Sequence, residues 1–273
     1  MHGVSGRTRF LAGASIVIAA ACSGSRGAAP ESTTTSAPAA TSSTNSPDVR
    51  SSLQNVTKMT ALGDSVPYGT ACDCEPYPQL SASDVERVAG HLVEVSNDAK
   101  PGYTSTDVVH QLQHDAGVIA HIEASQAIMV EVGANDVAYS SSCGTNASCY
   151  DAKLPQVEAN LDAVVRRVHE LTHGRKIAIV LLDYWSVWLG GQYAEAQGPA
   201  YVDAANTVTA SVNDLIRSTA HSTGSIYVDL RAAFRGPDET WDETHLLAPD
   251  GDHPNAAGHE RIAQAIADTV ARE

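Results

Sequence analysis

The sequence predicts an α/β protein built on a parallel sheet with helices on both faces. Beyond residue 52, short β-rich apolar runs alternate with longer stretches of helical periodicity. Several runs are nearly continuous in their apolar residues, as strands buried on both sides are. The turns that carry Gly, Ser, Asp and Asn follow directly after those runs, where such sheets present their reactive groups.

Five strands are predicted, at residues 58–62, 91–95, 127–132, 176–182 and 225–230. Helical segments at 84–89, 106–124, 155–172 and 201–221 each join one strand to the next, and a last one runs from about 256 to 271. In the third segment Val157, Leu161, Val164, Val165, Val168 and Leu171 recur at spacings of three or four, with Arg166, Arg167 and Glu170 between them. One face of that helix packs and the other is wet. The pattern leaves the strand order open.

The chain has 273 residues, enough for a substantial core, and a formal charge of −15. Such an acidic excess repels polyphosphate, so nucleic acid is not an expected partner. The acidity is carried by the folded part, because residues 1–21 contain Arg7 and Arg9 but no acid. Behind those arginines, residues 10–21 form an apolar stretch too short to span a bilayer, so residues 1–21 read as an export signal.

Ala19-Ala20-Ala21-Cys22 resembles the lipobox of bacterial lipoproteins, although the lipobox usually prefers Leu where Ala19 stands. The resemblance implies that Cys22 becomes the lipidated first residue and that the protein faces outward from a cell membrane; simple cleavage and secretion is the alternative. Residues 22–52 are dominated by Ser, Thr, Ala and Pro and read as a disordered tether, leaving residues 53–273 as the folded domain.

Four cysteines remain, Cys72 with Cys74 and Cys143 with Cys149. Two disulfides are expected, with the pairing open. Zinc is the competing reading, but Cys-x-Cys with Cys-x5-Cys misses the usual ligand spacing and an exported chain meets oxidising conditions.

After the first strand comes Gly63-Asp64-Ser65, after the second Pro101-Gly102-Tyr103, and after the third Gly133-Ala134-Asn135-Asp136. Before the last helix stands Asp250-Gly251-Asp252-His253. Singly these are ordinary turns and caps. Together they supply what acyl transfer needs: a hydroxyl, a base to deprotonate it, a carboxylate to orient that base, and donors for an oxyanion.

In this order the four blocks resemble the SGNH hydrolases, also called the GDSL esterases and lipases, over roughly residues 57 to 272. The resemblance implies a three-layer α/β/α sandwich of flavodoxin-like type, with Ser65 as nucleophile, His253 as base and Asp250 as its orienting partner. It also implies an oxyanion hole made by the backbone N–H groups of Ser65 and Gly102 and the Asn135 amide. Asp252 is the rival for orienting His253.

Tyr184, Trp185 and Trp188 follow the fourth strand at the same rim and serve either as pocket wall or as core. The expected chemistry uses no metal and no organic cofactor, and the substrate is a small-molecule, lipid or glycan ester. Two other readings stand beside it. One is a non-catalytic binding lipoprotein on the same fold. The other is a metal-dependent phosphoesterase using Asp64, Asp250, Asp252, His245 and His253.

Overall fold

The computed structural model describes residues 55–272. The signal, Cys22 and tether assigned from sequence lie outside them. Five parallel strands, β1 (Lys58–Gly63), β2 (Glu94–Asn97), β3 (Ala127–Glu131), β4 (Ala178–Leu182) and β5 (Ile226–Val228), form one sheet in the order β2-β1-β3-β4-β5. Register is set by pairs such as Gly63 with Glu131, Leu181 with Val130, and Leu182 with Val228.

The chain leaves β1 towards β2 on one side and returns to β3 on the other. The carboxyl ends of β1 and β3 therefore flank the topological switch point, where open α/β sheets bind ligands.

Nine α-helices connect and cover the strands among the described residues: α1 (Ser65–Tyr68), α2 (Tyr77–Ala89), α3 (Ser105–His114), α4 (Ala116–Ala124), α5 (Leu154–Leu171), α6 (Gly191–Glu195), α7 (Pro199–Thr223), α8 (Leu230–Arg235) and α9 (Ala256–Val270). Helix α9 packs on α2, while α5 lies between α3 and α7. The result is an α/β/α sandwich. The apolar stripe of α5 is buried, Val157 and Val168 completely, and β3 is buried along its whole length.

Several boundaries differ from the sequence expectation. Helix α2 starts at Tyr77, well before residue 84, because Pro78 occupies its first turn, where a missing N–H costs nothing. The segment expected as one helix over 106–124 is two. Asp115 adopts an extended conformation, ends α3, and caps α4 by accepting from the Gly117 and Val118 amides. Strand β2 begins at Glu94 rather than 91, with Leu92 exposed ahead of it, and β5 keeps only three residues.

Both close cysteine pairs sit at bonding distance, Cys72 with Cys74 (Cα–Cα 5.0 Å) and Cys143 with Cys149 (Cα–Cα 5.6 Å). Cross-loop pairing between the two sets is thereby excluded.

Candidate active site

Ser65 stands at the first position of α1, straight off the carboxyl end of β1. The turn requires Gly63, whose φ is +142° and whose missing Cβ would overlap the Glu131 carbonyl of the adjacent strand. Asp64 caps α1 through Oδ1, which accepts from the Val66 amide at 3.0 Å. Its Oδ2 accepts from the Tyr184 hydroxyl at 2.6 Å. Burial pushes the Asp64 carboxyl up to about 6, with those two hydrogen bonds holding it back. Beneath it Glu131 is fully buried, with the Tyr77 hydroxyl as its hydrogen-bonding neighbour in imperfect alignment. Burial drives its carboxyl well above the usual range, and the charge of Asp64 adds to the effect.

His253 is held by a tight loop in which the Ala248 amide donates to the His253 carbonyl at 2.8 Å and Leu247 bridges to Pro254. Its Nδ1 lies 2.8 Å from Asp250 Oδ2. A carboxylate only accepts, so the proton sits on Nδ1 and the Nε2 lone pair is free. Asp250 Oδ1 accepts from the amides of Asp252 and His253, both at 3.1 Å. Partial burial raises the Asp250 carboxyl, but these hydrogen bonds prevail and hold it below its usual value. Asp252 occupies the other side of the ring, its Oδ2 at 4.0 Å from Nε2. The expected rivalry for orienting His253 is thus divided, with Asp250 on Nδ1 and Asp252 near Nε2.

Gly102 lies in a turn closed by the Tyr103 amide on the Lys100 carbonyl, with Pro101 second and Gly102 third at φ +80°. Pro then Gly at those positions is the type II pattern, in which only Gly adopts the third conformation without strain. The Asn135 side-chain amide donates to the Tyr103 carbonyl at 2.9 Å, tying the loop after β3 to the loop after β2. Asp136 adds a second tie, accepting from the Ser105 amide at 2.8 Å and the Ser105 hydroxyl at 2.7 Å. One Asn135 N–H remains uncommitted by that bond.

Ser65, Asn135 and His253 border one cavity of about 340 Å³. Asp250 stands behind His253, and Gly102 is exposed nearby in sequence to Tyr103 without bordering the cavity. Among the hydrogen bonds of the described residues, none joins the Ser65 hydroxyl to His253 Nε2; such links commonly tighten only when substrate binds. Tyr184, Trp185 and Trp188 all border the cavity while remaining buried. Tyr184 is tied to Asp64, Trp185 stacks on Phe234 at 4.4 Å, and the Trp188 indole N–H donates to the Val137 carbonyl at 2.8 Å.

The sequence reading missed Tyr139, Tyr201 and the outward face of Asp252, which also border the cavity. Tyr139 belongs to the loop after Asn135, a position that signalled proximity; Tyr201 opens a helix far along the chain and carried no such signal.

The carboxylates and imidazoles suggested for a metal-dependent phosphoesterase do not bring their ligand atoms together as a metal-type group among the described residues, although Asp64, Asp252 and His253 border the same cavity. Asp64 is committed to Tyr184 and Val66, Asp250 to the His253 turn, and His245 Nδ1 lies against the Asp242 carbonyl. Among the described residues, the group that brings metal-type donors together is Cys72, Cys74 and His259. There the cysteines pair with each other and His259 Nδ1 accepts from the Tyr77 amide at 3.2 Å, so its neutral ring carries the proton on Nε2 rather than a lone pair. Burial lowers the His259 ring to about 4, consistent with that neutral form.

A serine turn at the end of β1, an imidazole paired with a carboxylate and a side-chain amide border or back one cavity at the switch point of an α/β/α sheet. The model of the GDSL-like lipase/acylhydrolase family matches residues 61–261, and the chain belongs to that family. It is an ester hydrolase.

Solved structures share the fold at low identity. A lipase from a goat rumen metagenome has a TM-score of 0.63 at 16% identity, covering 78% of this chain and 96% of its own. The acetylxylan esterase Axe2 of Geobacillus stearothermophilus has 0.55 at 21%, covering 78% and 94%. An alpha/beta hydrolase from the metagenome of Lake Arreo, Spain, has 0.55 at 20%, with the same coverage. No curated protein matches the chain.

Proposed function

We propose that this protein is an exported, lipid-anchored serine carboxylester hydrolase working through an acyl-enzyme. The observation that carries the reading is the 2.8 Å pairing of Asp250 with His253 Nδ1, which leaves the Nε2 lone pair beside the cavity that Ser65 also borders.

In this mechanism Nε2 takes the Ser65 hydroxyl proton as Oγ attacks the ester carbonyl carbon. The oxyanion receives hydrogen bonds from the N–H groups of Ser65 and Gly102 and from Asn135. Collapse breaks the bond to the alcohol, which leaves with the proton from Nε2. Water then attacks the acyl-serine by the same steps in reverse order, and the acid departs. Asp250 stabilises the imidazolium formed in each half without taking its proton.

A cavity of about 340 Å³ is at the small end for ligand sites and suits a short acyl group better than a long chain. Chromogenic esters from acetyl to palmitoyl test this on the protein and its Ser65→Ala variant. Activity should fall steeply beyond butyryl and vanish in the variant; equal rates from both proteins would defeat the mechanism.

Export and anchoring rest on residues 1–22. Cys22→Ala should abolish labelling by a fatty-acid analogue and shift the protein from membrane to soluble fraction. Continued membrane retention would point to an uncleaved leader.

A further inference from the structure

One wall of the cavity has a chemistry that ester hydrolysis alone does not require. Tyr139, Trp188 and Tyr201 touch one another, with ring centroids 5.1 Å apart for Tyr139 and Trp188, 5.3 Å for Tyr139 and Tyr201, and 5.4 Å for Trp188 and Tyr201. All three border the cavity, and Tyr139 is 48% exposed.

Asp252 borders it too. Its carboxylate is half-exposed, and no hydrogen bond among the described residues uses its oxygens. The other acid on the lining, Asp64, is committed to Tyr184 and Val66. Among the described residues bordering the cavity there is no Lys or Arg. Asp252 is thus the carboxyl on the described lining whose oxygens no hydrogen bond uses, held somewhat above its ordinary value by burial, with the His253 ring at 4.0 Å and a cluster of π faces beside it.

That combination attracts a cation, by charge and by the ring quadrupoles, and repels an anionic substrate. Its position selects a side of the ester. Asp252 Oδ2 lies 4.0 Å from His253 Nε2, the atom that hands its proton to the departing alcohol. On the proposed mechanism the alcohol half of the ester is the side nearer this carboxylate.

We propose that Asp252, Tyr139, Trp188 and Tyr201 form a subsite for a cationic group on the alcohol half of the substrate, making esters of amino or quaternary-ammonium alcohols the preferred class. The proposal rests on the Ser65 and His253 reading above. A neutral polyol ester, held by hydrogen bonds to Asp252 and stacking on the rings, is the competing occupant.

The test compares kcat/KM of the full protein for acetylcholine, its uncharged carbon isostere 3,3-dimethylbutyl acetate, and glycerol monoacetate. Acetylcholine should be favoured over the isostere at least tenfold, about 1.4 kcal/mol. Asp252→Asn should bring that ratio close to one, Asp252→Glu should keep most of it, and Tyr139→Ala should reduce it. A wild-type ratio near one, a ratio indifferent to Asp252→Asn, or glycerol monoacetate cleaved as well as acetylcholine would overturn the subsite while leaving the esterase intact. No hydrolysis of any of the three, or hydrolysis surviving Ser65→Ala, would overturn the parent reading and the subsite with it.

Discussion

Replacing Glu131 with Met should stabilise the protein, most at alkaline pH. Glu131 ends β3 with its carboxyl fully buried and faced by a single hydrogen-bonding side chain, the Tyr77 hydroxyl, which is too poorly aligned to satisfy it fully. An unserved buried polar group costs about 1–3 kcal/mol, and a charged one more. Met has similar length, no such demand, and enough flexibility to fill the space. For a domain of this size roughly 2–4 °C accompanies each kcal/mol, so the midpoint should rise by roughly 2 to 12 °C. The pH dependence has a definite sign. The folded-state carboxyl is raised well above its ordinary value of 4.5, chiefly by burial. As pH rises above that ordinary value, the unfolded chain gives up this proton while the folded one keeps it, so the wild type loses stability relative to the variant. Differential scanning calorimetry of both proteins from pH 4 to pH 8 measures the gap. A Met variant less stable than wild type, or a gap that does not widen with pH, would refute the reasoning.

Other substitutions probe the site itself. Asp250→Asn should lower kcat by about 10³- to 10⁴-fold with the fold intact by circular dichroism, because it permits the wrong His253 tautomer. Asn135→Ala should lower kcat by about 10²- to 10³-fold, with a smaller change in KM, since in the proposed mechanism its donor serves the oxyanion. Removing the Cys143–Cys149 pair by Cys143→Ala with Cys149→Ala closes no loop in the unfolded chain and should cost about 2 kcal/mol, read by urea denaturation under non-reducing conditions.

The strands and the order of the reactive blocks were legible because each depends on local pattern: apolar runs for the sheet, turn residues after each run. The α5 stripe is an example, its apolar positions all facing the core. What escaped depends on context. Asp115 reads as a helix residue until its side chain is seen capping the next helix. Helix α2 begins at Tyr77, between Pro76 and Pro78, well ahead of the helix expected from residue 84. Tyr201 is distant in sequence from Ser65 and reaches the cavity only through the packing of α7. Glu131 lies inside the apolar run expected as the third strand, and its burial against the Asp64 turn follows from the register of β1 with β3.

The account stands on Ser65 being a nucleophile activated by His253. Its most direct test is intact-protein and peptide mass spectrometry after treatment with a p-nitrophenyl phosphonate, with release of p-nitrophenol followed in parallel. The account predicts one equivalent of nitrophenol, a single adduct on the peptide containing Ser65, loss of ester hydrolysis in step with labelling, and no adduct in Ser65→Ala. An adduct on another residue, or hydrolysis persisting in the fully labelled protein, would contradict it.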